Sequence, residues 1–500
     1  MIGLGRARRV VTASSAIVAI LVAVTVATRA PEALREALWA DEVASARVIT
    51  VERDRTALTW IRRESSPPGW FFLGRVVHRL GVSSMEAIRL LSVVFSAGLT
   101  ALVFVYARRL LTVWGAALAA LLVAVGYQFV LHGKELRAYA LLAFAAAAFP
   151  LVLEAAVARA SGRRLAALAV LTAVGAMTHY FFLFVVLTGL VWLWLLARTE
   201  SRLRITAGIA AGLIPLAAWL PITLFQAGNV NRYFPPFRSG WVIDLYSNLF
   251  ASGRAWSDLG TVGRLTVLVL VLVGALALAR RAEGRLCALL AVVPVAVTAL
   301  IWALGLHIFT TRNLIVVGPF AAIAIAAAVT SLVPKPAVAV LTVALVGLVA
   351  WTYWVDRTLG RTPYDDVSEA LVELGWTRAD PIVLFAPYPQ SIPIGWYLPD
   401  HPRLALAEPG AEECRALYVV AANRGGHDWL ASNEDAVRTR LEFPSYGFRL
   451  EGSRRSLGVV VAHVWSGGRL SGAVADGGLP FRPLNRLPAC LAPWTRRAGD

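Results

Sequence analysis

Of 500 residues, 58% are hydrophobic, above the roughly 45–50% of a soluble globular domain, so that class is excluded. The 48 Lys and Arg against 31 Asp and Glu give a net charge of +17, a surplus that suits nucleic acid, anionic lipid or biased cytoplasmic loops. The three cysteines, Cys287, Cys414 and Cys490, have no metal-knuckle spacing and form no disulfide scaffold; Cys414 and Cys490 are left as either a pair or two free thiols.

The chain opens with Arg6, Arg8 and Arg9 ahead of an apolar run from Val10 to Ala27. A signal peptide competes for this pattern, but the length of the run and the spans that follow favour a retained first helix. Apolar runs of about 17–25 residues, enough to cross a bilayer, are predicted at 10–28, 87–107, 113–131, 138–157, 165–179, 180–197, 205–225, 262–279, 286–305, 314–332 and 337–355. The fold class is therefore a polytopic α-helical membrane protein of about eleven spans. Met177-Thr178-His179-Tyr180 is the sole polar break between the fifth and sixth.

Lys and Arg accumulate in short cytoplasmic loops. Alternate loops here carry Arg108-Arg109, then Arg159 with Arg163-Arg164, then Arg198 with Arg202 and Arg204, then Arg280-Arg281 with Arg285, and finally Lys335. The N-terminus is thus expected inside and the C-terminus outside. Because the basic clusters sit on separate hairpins, nucleic acid is removed as their explanation.

The outer segments hold the informative residues. The first, about 29–86, contains Asp41-Glu42 and Ser65-Ser66-Pro67-Pro68-Gly69-Trp70-Phe71-Phe72, with amphipathic stretches over Pro31–Thr50 and Gly69–Leu80 that are expected to lie along the interface. Next come His132-Gly133-Lys134-Glu135-Leu136-Arg137-Ala138-Tyr139, then His179-Tyr180, a loop over about 226–260, and His307 to Asn313. Beyond residue 355 the composition turns soluble. Helical periodicity over Asp365–Leu374 and strand-like runs at Pro381–Ala386, Ala416–Ala421 and Leu457–Trp465 predict an extracytoplasmic α/β domain over 356–500, after a membrane domain over 1–355.

Two adjacent carboxylates beside a span are costly near lipid. Asp41 and Glu42 either simply end the first span or supply a base at its wet end. Arg137 offers a guanidinium fork to phosphate and Tyr139 a hydroxyl donor beside Glu135; a snorkelling Arg and a belt Tyr are the alternative. His179 and Tyr180 can orient a hydroxyl, bind a metal or touch phosphate, or be ordinary interfacial residues. Arg312 opposes the inside bias, and Arg232, Arg238, Arg254 and Arg264 repeat that pattern more weakly.

The order of Asp41-Glu42, Ser66-Pro67-Pro68-Gly69-Trp70-Phe71, Glu135-Leu136-Arg137-Ala138-Tyr139 and Thr178-His179-Tyr180 resembles the bacterial glycosyltransferase family 39. That family is similar to the dolichyl-phosphate-mannose protein mannosyltransferases and the lipid A aminoarabinose transferases, all of the GT-C fold. The resemblance covers Trp39 to Phe184; the rest matches in layout. It implies inverting transfer of a mannose-like sugar from a polyprenyl-phosphate donor to a protein, lipid or polysaccharide acceptor on the extracytoplasmic face. Asp41 would be the base, with Glu42 beside it, and Glu135, Arg137, Tyr139, His179, Tyr180 and Arg312 would bind donor phosphate or substrate. Relatives carry Arg-Tyr where this chain has Arg312-Asn313. Metal need varies among such enzymes, so a divalent metal is open and no metal ligand is assigned.

No Gly-rich phosphate loop suggests a nucleotide-sugar site. A glycan transporter or flippase would place charge within spans and interrupt paired helices with Gly or Pro. An O-antigen-ligase type enzyme would enlarge a late outer loop instead of the first, and a non-catalytic scaffold leaves Asp41 unexplained.

Overall fold

The computed structural model describes residues 2–230, 237–251, 253–332, 347, 382–385, 396, 417–422, 449–456 and 459–465. The chain divides into two compact units, one of Met1–Arg35 with Ser45–Asp356, the other of Glu36–Ala44 with Arg357–Asp500.

The first unit is a helical membrane domain. A long α1 (Ile2–Ala27) leads to four short helices, α2 (Ala30–Arg35), α3 (Ala40–Thr50), α4 (Asp54–Ile61) and α5 (Gly69–Arg79), with the first residues of α3 assigned to the second unit. The expected single stretch over Pro31–Thr50 is thus split, and α4 is an addition to the predicted pair. There follow α6 (Met85–Leu110), α7 (Val113–Val125), α8 (Tyr127–His132), α9 (Tyr139–Ala158), α10 (Gly162–Thr178), α11 (Phe182–Leu195), α12 (Arg202–Ala218), α13 (Leu220–Val230), α14 (Ser239–Phe250), α15 (Gly253–Ala279), α16 (Arg285–Ala303) and α17 (Gly318–Leu332).

Among the described residues, six helices are long and apolar enough to cross a membrane, or seven if the bent pair α12–α13 counts as one span. Each predicted stretch up to 314–332 falls on a helix, whereas 337–355 lies outside the described residues, as do Lys335, Asp365–Leu374, Cys414, Cys490 and Arg232.

Local chemistry sets the ends. Ser84 caps α6 by accepting the Ala87 N–H at 3.2 Å, and Thr112 caps α7 by accepting from Gly115 at 3.3 Å. The 64° bend between α12 and α13 falls just before Pro221, whose ring blocks helical continuation. The third predicted run, 113–131, breaks at Gly126, which is extended.

Lipid tails offer helices no hydrophobic incentive to associate, so close backbone approach carries the packing. The central α17 buries Ala321, Ala322, Ala324, Ala326 and Ala328. Gly274 of α15 lies directly on the Ala324 backbone, where a Cβ would collide with the carbonyl.

In the second unit the strands β1 (Ile382–Phe385), β2 (Leu417–Ala422), β3 (Arg449–Ser456) and β4 (Val459–Trp465) form one sheet in the order β1-β2-β4-β3. β1 and β2 are parallel, and the other pairs antiparallel. The predicted strand runs coincide with β1, β2 and β4. β3 was not foreseen, since Arg-Leu-Glu-Gly-Ser-Arg-Arg-Ser lacks apolar alternation; it is a hairpin partner of β4 with a register shift between Leu450 and Gly452.

Candidate functional site

Buried arginines fix the loops at one end of the helical unit. Arg29 is fully buried just past α1 and donates to the carbonyls of Ala124 at 2.8 Å and Val123 at 3.3 Å, acceptors freed at the Gly126 break, and to Phe129 O at 3.2 Å, which also accepts the Gly133 N–H at 3.0 Å. A cation at a helix C-terminus meets both the orphan carbonyls and the negative end of the dipole. Arg75 of α5 does the same for α3, donating to Val48 O at 2.6 Å and Val51 O at 2.7 Å while also pairing with Asp54 at 2.7 Å. Hydrogen bonds from Arg75 and Arg79 hold the exposed Asp54 carboxyl below its ordinary pKa.

The Ser66-Pro67-Pro68-Gly69-Trp70 stretch proves to be a clamp between loops. Gly69 abuts the Met177 backbone at the end of α10, and buried Trp70 donates its indole N–H to Leu136 O at 3.2 Å. Ser92 of α6 donates to Glu135 O at 2.7 Å from the opposite side. The loop 133–138 is held on two faces.

That loop is densely charged and internally matched. Buried Lys134 pairs with Glu32 of α2, and the Glu135 carboxylate turns to His132 Nδ1 at 2.6 Å. Arg137 donates to Ser45 Oγ at 3.1 Å and lies 3.7 Å from the Glu64 carboxylate. The Tyr139 ring lies between His132, 4.5 Å away, and His179, 5.7 Å away.

His179 occupies the three-residue turn between α10 and α11. Its Nδ1 accepts the Phe181 N–H at 3.3 Å, which leaves the proton on Nε2. Burial, with the guanidinium charges of Arg137 and Arg312 adding, pushes its pKa down to about 3, so the ring is neutral at physiological pH. Arg137 and Arg312 thus lie near enough for their charges to act on the His179 ring.

Tyr180 points elsewhere. Its hydroxyl donates to Gln226 Oε1 at 2.5 Å and accepts from Thr223 at 3.1 Å, while Gln226 Nε2 donates to Ile61 O at 2.9 Å. Tyr180 thus ties α13 to the turn after α4. Arg264 pairs with Asp244 and Arg238 lies over Trp241 at 6.0 Å. The Arg254 side chain is outside the described set.

Asp41 and Glu42 belong to the second unit. Glu42 is fully buried, and its carboxylate accepts the Trp39 backbone N–H at 3.2 Å, closing the first turn of α3 as a capping box does. Asp41 precedes it, half-buried, in the same first turn, where the dipole favours an anion. The structure thus groups Arg137, Tyr139, His179 and Arg312, turns Glu135 and Tyr180 to protein partners, and keeps Asp41 and Glu42 in their own unit. Sequence reasoning missed Ser45, Glu64, Gln226 and Arg29; of these, Arg29 carried a signal, a basic residue opposing the inside bias at a span end. Among the described residues no group of three or more His, Cys, Asp and Glu gathers to hold a metal ion.

Comparison with known proteins shows the GT-C fold. Residues 65–225 match the family described as dolichyl-phosphate-mannose-protein mannosyltransferase. The chain is similar to ArnT from Cupriavidus metallidurans in the apo state, with a TM-score of 0.54 and 12% identity over 90% of this chain and 98% of that one. It is also similar to ArnT from the same organism bound to undecaprenyl phosphate, with a TM-score of 0.52 and 13% identity over 92% of this chain and 98% of that one. No curated protein matches the chain by sequence.

Proposed function

We propose that the protein is an integral-membrane glycosyltransferase that moves a mannose-like sugar from a polyprenyl-phosphate donor to an acceptor hydroxyl on the extracytoplasmic face. The observation that carries this reading is the convergence of Arg137, Arg312 and a neutral His179 in one locality of a GT-C fold. The undecaprenyl phosphate in the ArnT crystal structure supports a lipid phosphate as the anion. A prenyl tail lies readily among lipid-facing helices with its phosphate at the interface.

Asp41 takes the acceptor proton. The acceptor oxygen then bonds to the anomeric carbon as the bond to the phosphate oxygen breaks on the opposite side, giving inversion. Charge gathers on the departing polyprenyl phosphate, where the two guanidiniums and His179 Nε2–H stabilise it. Glu135 and Tyr139 support the site by holding His132 and flanking His179. The basic loops support an N-terminus inside and a C-terminal unit outside. Acceptors of the protein, lipid and polysaccharide classes all fit this chemistry.

Asp41→Asn tests the assignment. Glycoconjugates of cells with and without the protein, compared by mass spectrometry, identify the product; the variant is expected to lose it at unchanged protein level and unchanged undecaprenyl phosphate binding. Full product formation by Asp41→Asn would remove Asp41 from the chemistry.

A further inference from the structure

We propose that His132 accepts a hydroxyl of the sugar being transferred, through its Nε2, and so reads the sugar while the arginines hold the phosphate. The inference rests on the reading of this end of the helical unit as the donor site. His132 is the last residue of α8 and is only 4% exposed. Its Nδ1 meets the Glu135 carboxylate at 2.6 Å, whereas its Nε2 is shut off from water and has no hydrogen-bond partner among the described residues. An ionised carboxylate only accepts, so Nδ1 carries the proton and the neutral ring keeps a lone pair on Nε2. A buried acceptor left unpaired is costly, and a ligand that donates to it removes that cost.

The two imidazoles beside Tyr139 are opposite in kind. His179 takes a backbone N–H on Nδ1 and offers a proton from Nε2, which suits a phosphate oxygen. His132 offers a lone pair, which suits an O–H and gains nothing from the phosphodiester of a polyprenyl-phosphate sugar, an anion with no proton to give. In that donor the hydroxyls belong to the sugar, which is bonded directly to the phosphate, and the two histidines stand one ring apart, at 4.5 Å and 5.7 Å from Tyr139. A metal ion is the other partner that a lone pair invites, but no group of three or more His, Cys, Asp and Glu gathers among the described residues to hold one. The acceptor is also held in place. Ser92 donates to Glu135 O at 2.7 Å and Trp70 to Leu136 O at 3.2 Å, fixing the loop whose carboxylate orients the ring. The packing around His132 includes the Tyr139 ring, so entry of the sugar hydroxyl has to part the two rings.

His132→Asn removes Nε2 and keeps an amide N–H near the place of Nδ1 for the Glu135 carboxylate. In lipid nanodiscs this variant is expected to bind undecaprenyl phosphate mannose about three- to tenfold more weakly than the parent protein, the contribution of one hydrogen bond, and to bind sugar-free undecaprenyl phosphate equally well. One monodeoxy form of the mannose donor should lose the same factor with the parent protein and nothing further with His132→Asn, a pairing that a merely structural histidine would not produce. Transfer assays should show the loss as a raised KM for the donor. Equal weakening toward both lipids overturns the sugar contact and puts His132 on the phosphate or in support of the loop. Unchanged binding of both lipids by the variant, or full binding of every monodeoxy donor by the parent protein, overturns it as well. A parent protein that binds neither lipid overturns the donor reading on which the contact rests.

Discussion

Gly69→Ala puts the loop clamp to a quantitative test. A Cβ on Gly69 would stand 2.5 Å from the Met177 carbonyl oxygen and 2.8 Å from its carbon, both backbone atoms that cannot rotate aside. Ordinary contact begins at 3.4 Å, so α5 must withdraw from α10 by about 0.9 Å, the difference between 3.4 and 2.5. Overpacking of this kind costs roughly 1–3 kcal/mol. The same withdrawal stretches the Trp70 indole bond to Leu136 O from 3.2 Å past useful length, adding about 1 kcal/mol. Leu136 adjoins Arg137, and a displacement near 1 Å at a reacting group costs about a hundredfold in rate. Thermal unfolding in detergent, followed by tryptophan fluorescence, and product formation in membranes should therefore both fall. Gly162→Ala is the control: it is exposed at the start of α10 with open space around it, and stability should stay within about 0.5 kcal/mol. If Gly69→Ala unfolds and turns over like the parent protein, the close approach does not position the site.

Two further outcomes follow from buried polar groups. Arg29→Met removes the donor from the Val123 and Ala124 carbonyls while keeping an unbranched side chain, and the two stranded acceptors should cost about 2–6 kcal/mol, read as a lowered unfolding midpoint in detergent. His179 should make the fold less stable as pH falls from its ordinary 6.5 toward about 3, because over that range the unfolded chain takes up the proton and the folded one does not; His179→Asn should flatten this slope in midpoint-against-pH measurements.

The legible part of the fold is the part written in short periods. Apolar runs and alternating basic loops mark the helices up to α17, and β-branched runs such as Val459-Val460-Val461 mark the strands. β3 escaped because its pairing comes from β4, not from its own residues. The convergence of Arg137, His179 and Arg312 was legible as a set of outer-loop residues but not as a geometry, since helices of different tilt separate them in the chain. Tyr180 shows the limit most directly. Its neighbour His179 lies against the Tyr139 ring, but the turn conformation sends the Tyr180 hydroxyl toward α13, and one-residue differences in direction leave no mark on composition. Glu64 was invisible for another reason: a carboxylate among exposed Arg62 and Arg63 reads as a solvated surface charge until the loop at Arg137 is folded against it.

The two carboxylates of α3 are chemically alike and structurally different, and the difference bears on which one can act as a base. Glu42 sits at the third helical position, from which a side chain reaches back to the capping residue, and its oxygen accepts the Trp39 N–H. A carboxylate engaged in this way closes the first turn of α3, and turning it toward an acceptor would open that turn. Asp41 is one methylene shorter and one position earlier, too short to make that return contact from the second helical position. It remains half-buried in the first turn of α3. Under the mechanism proposed above, proton transfer at Asp41 leaves the Glu42 contact with the Trp39 N–H intact.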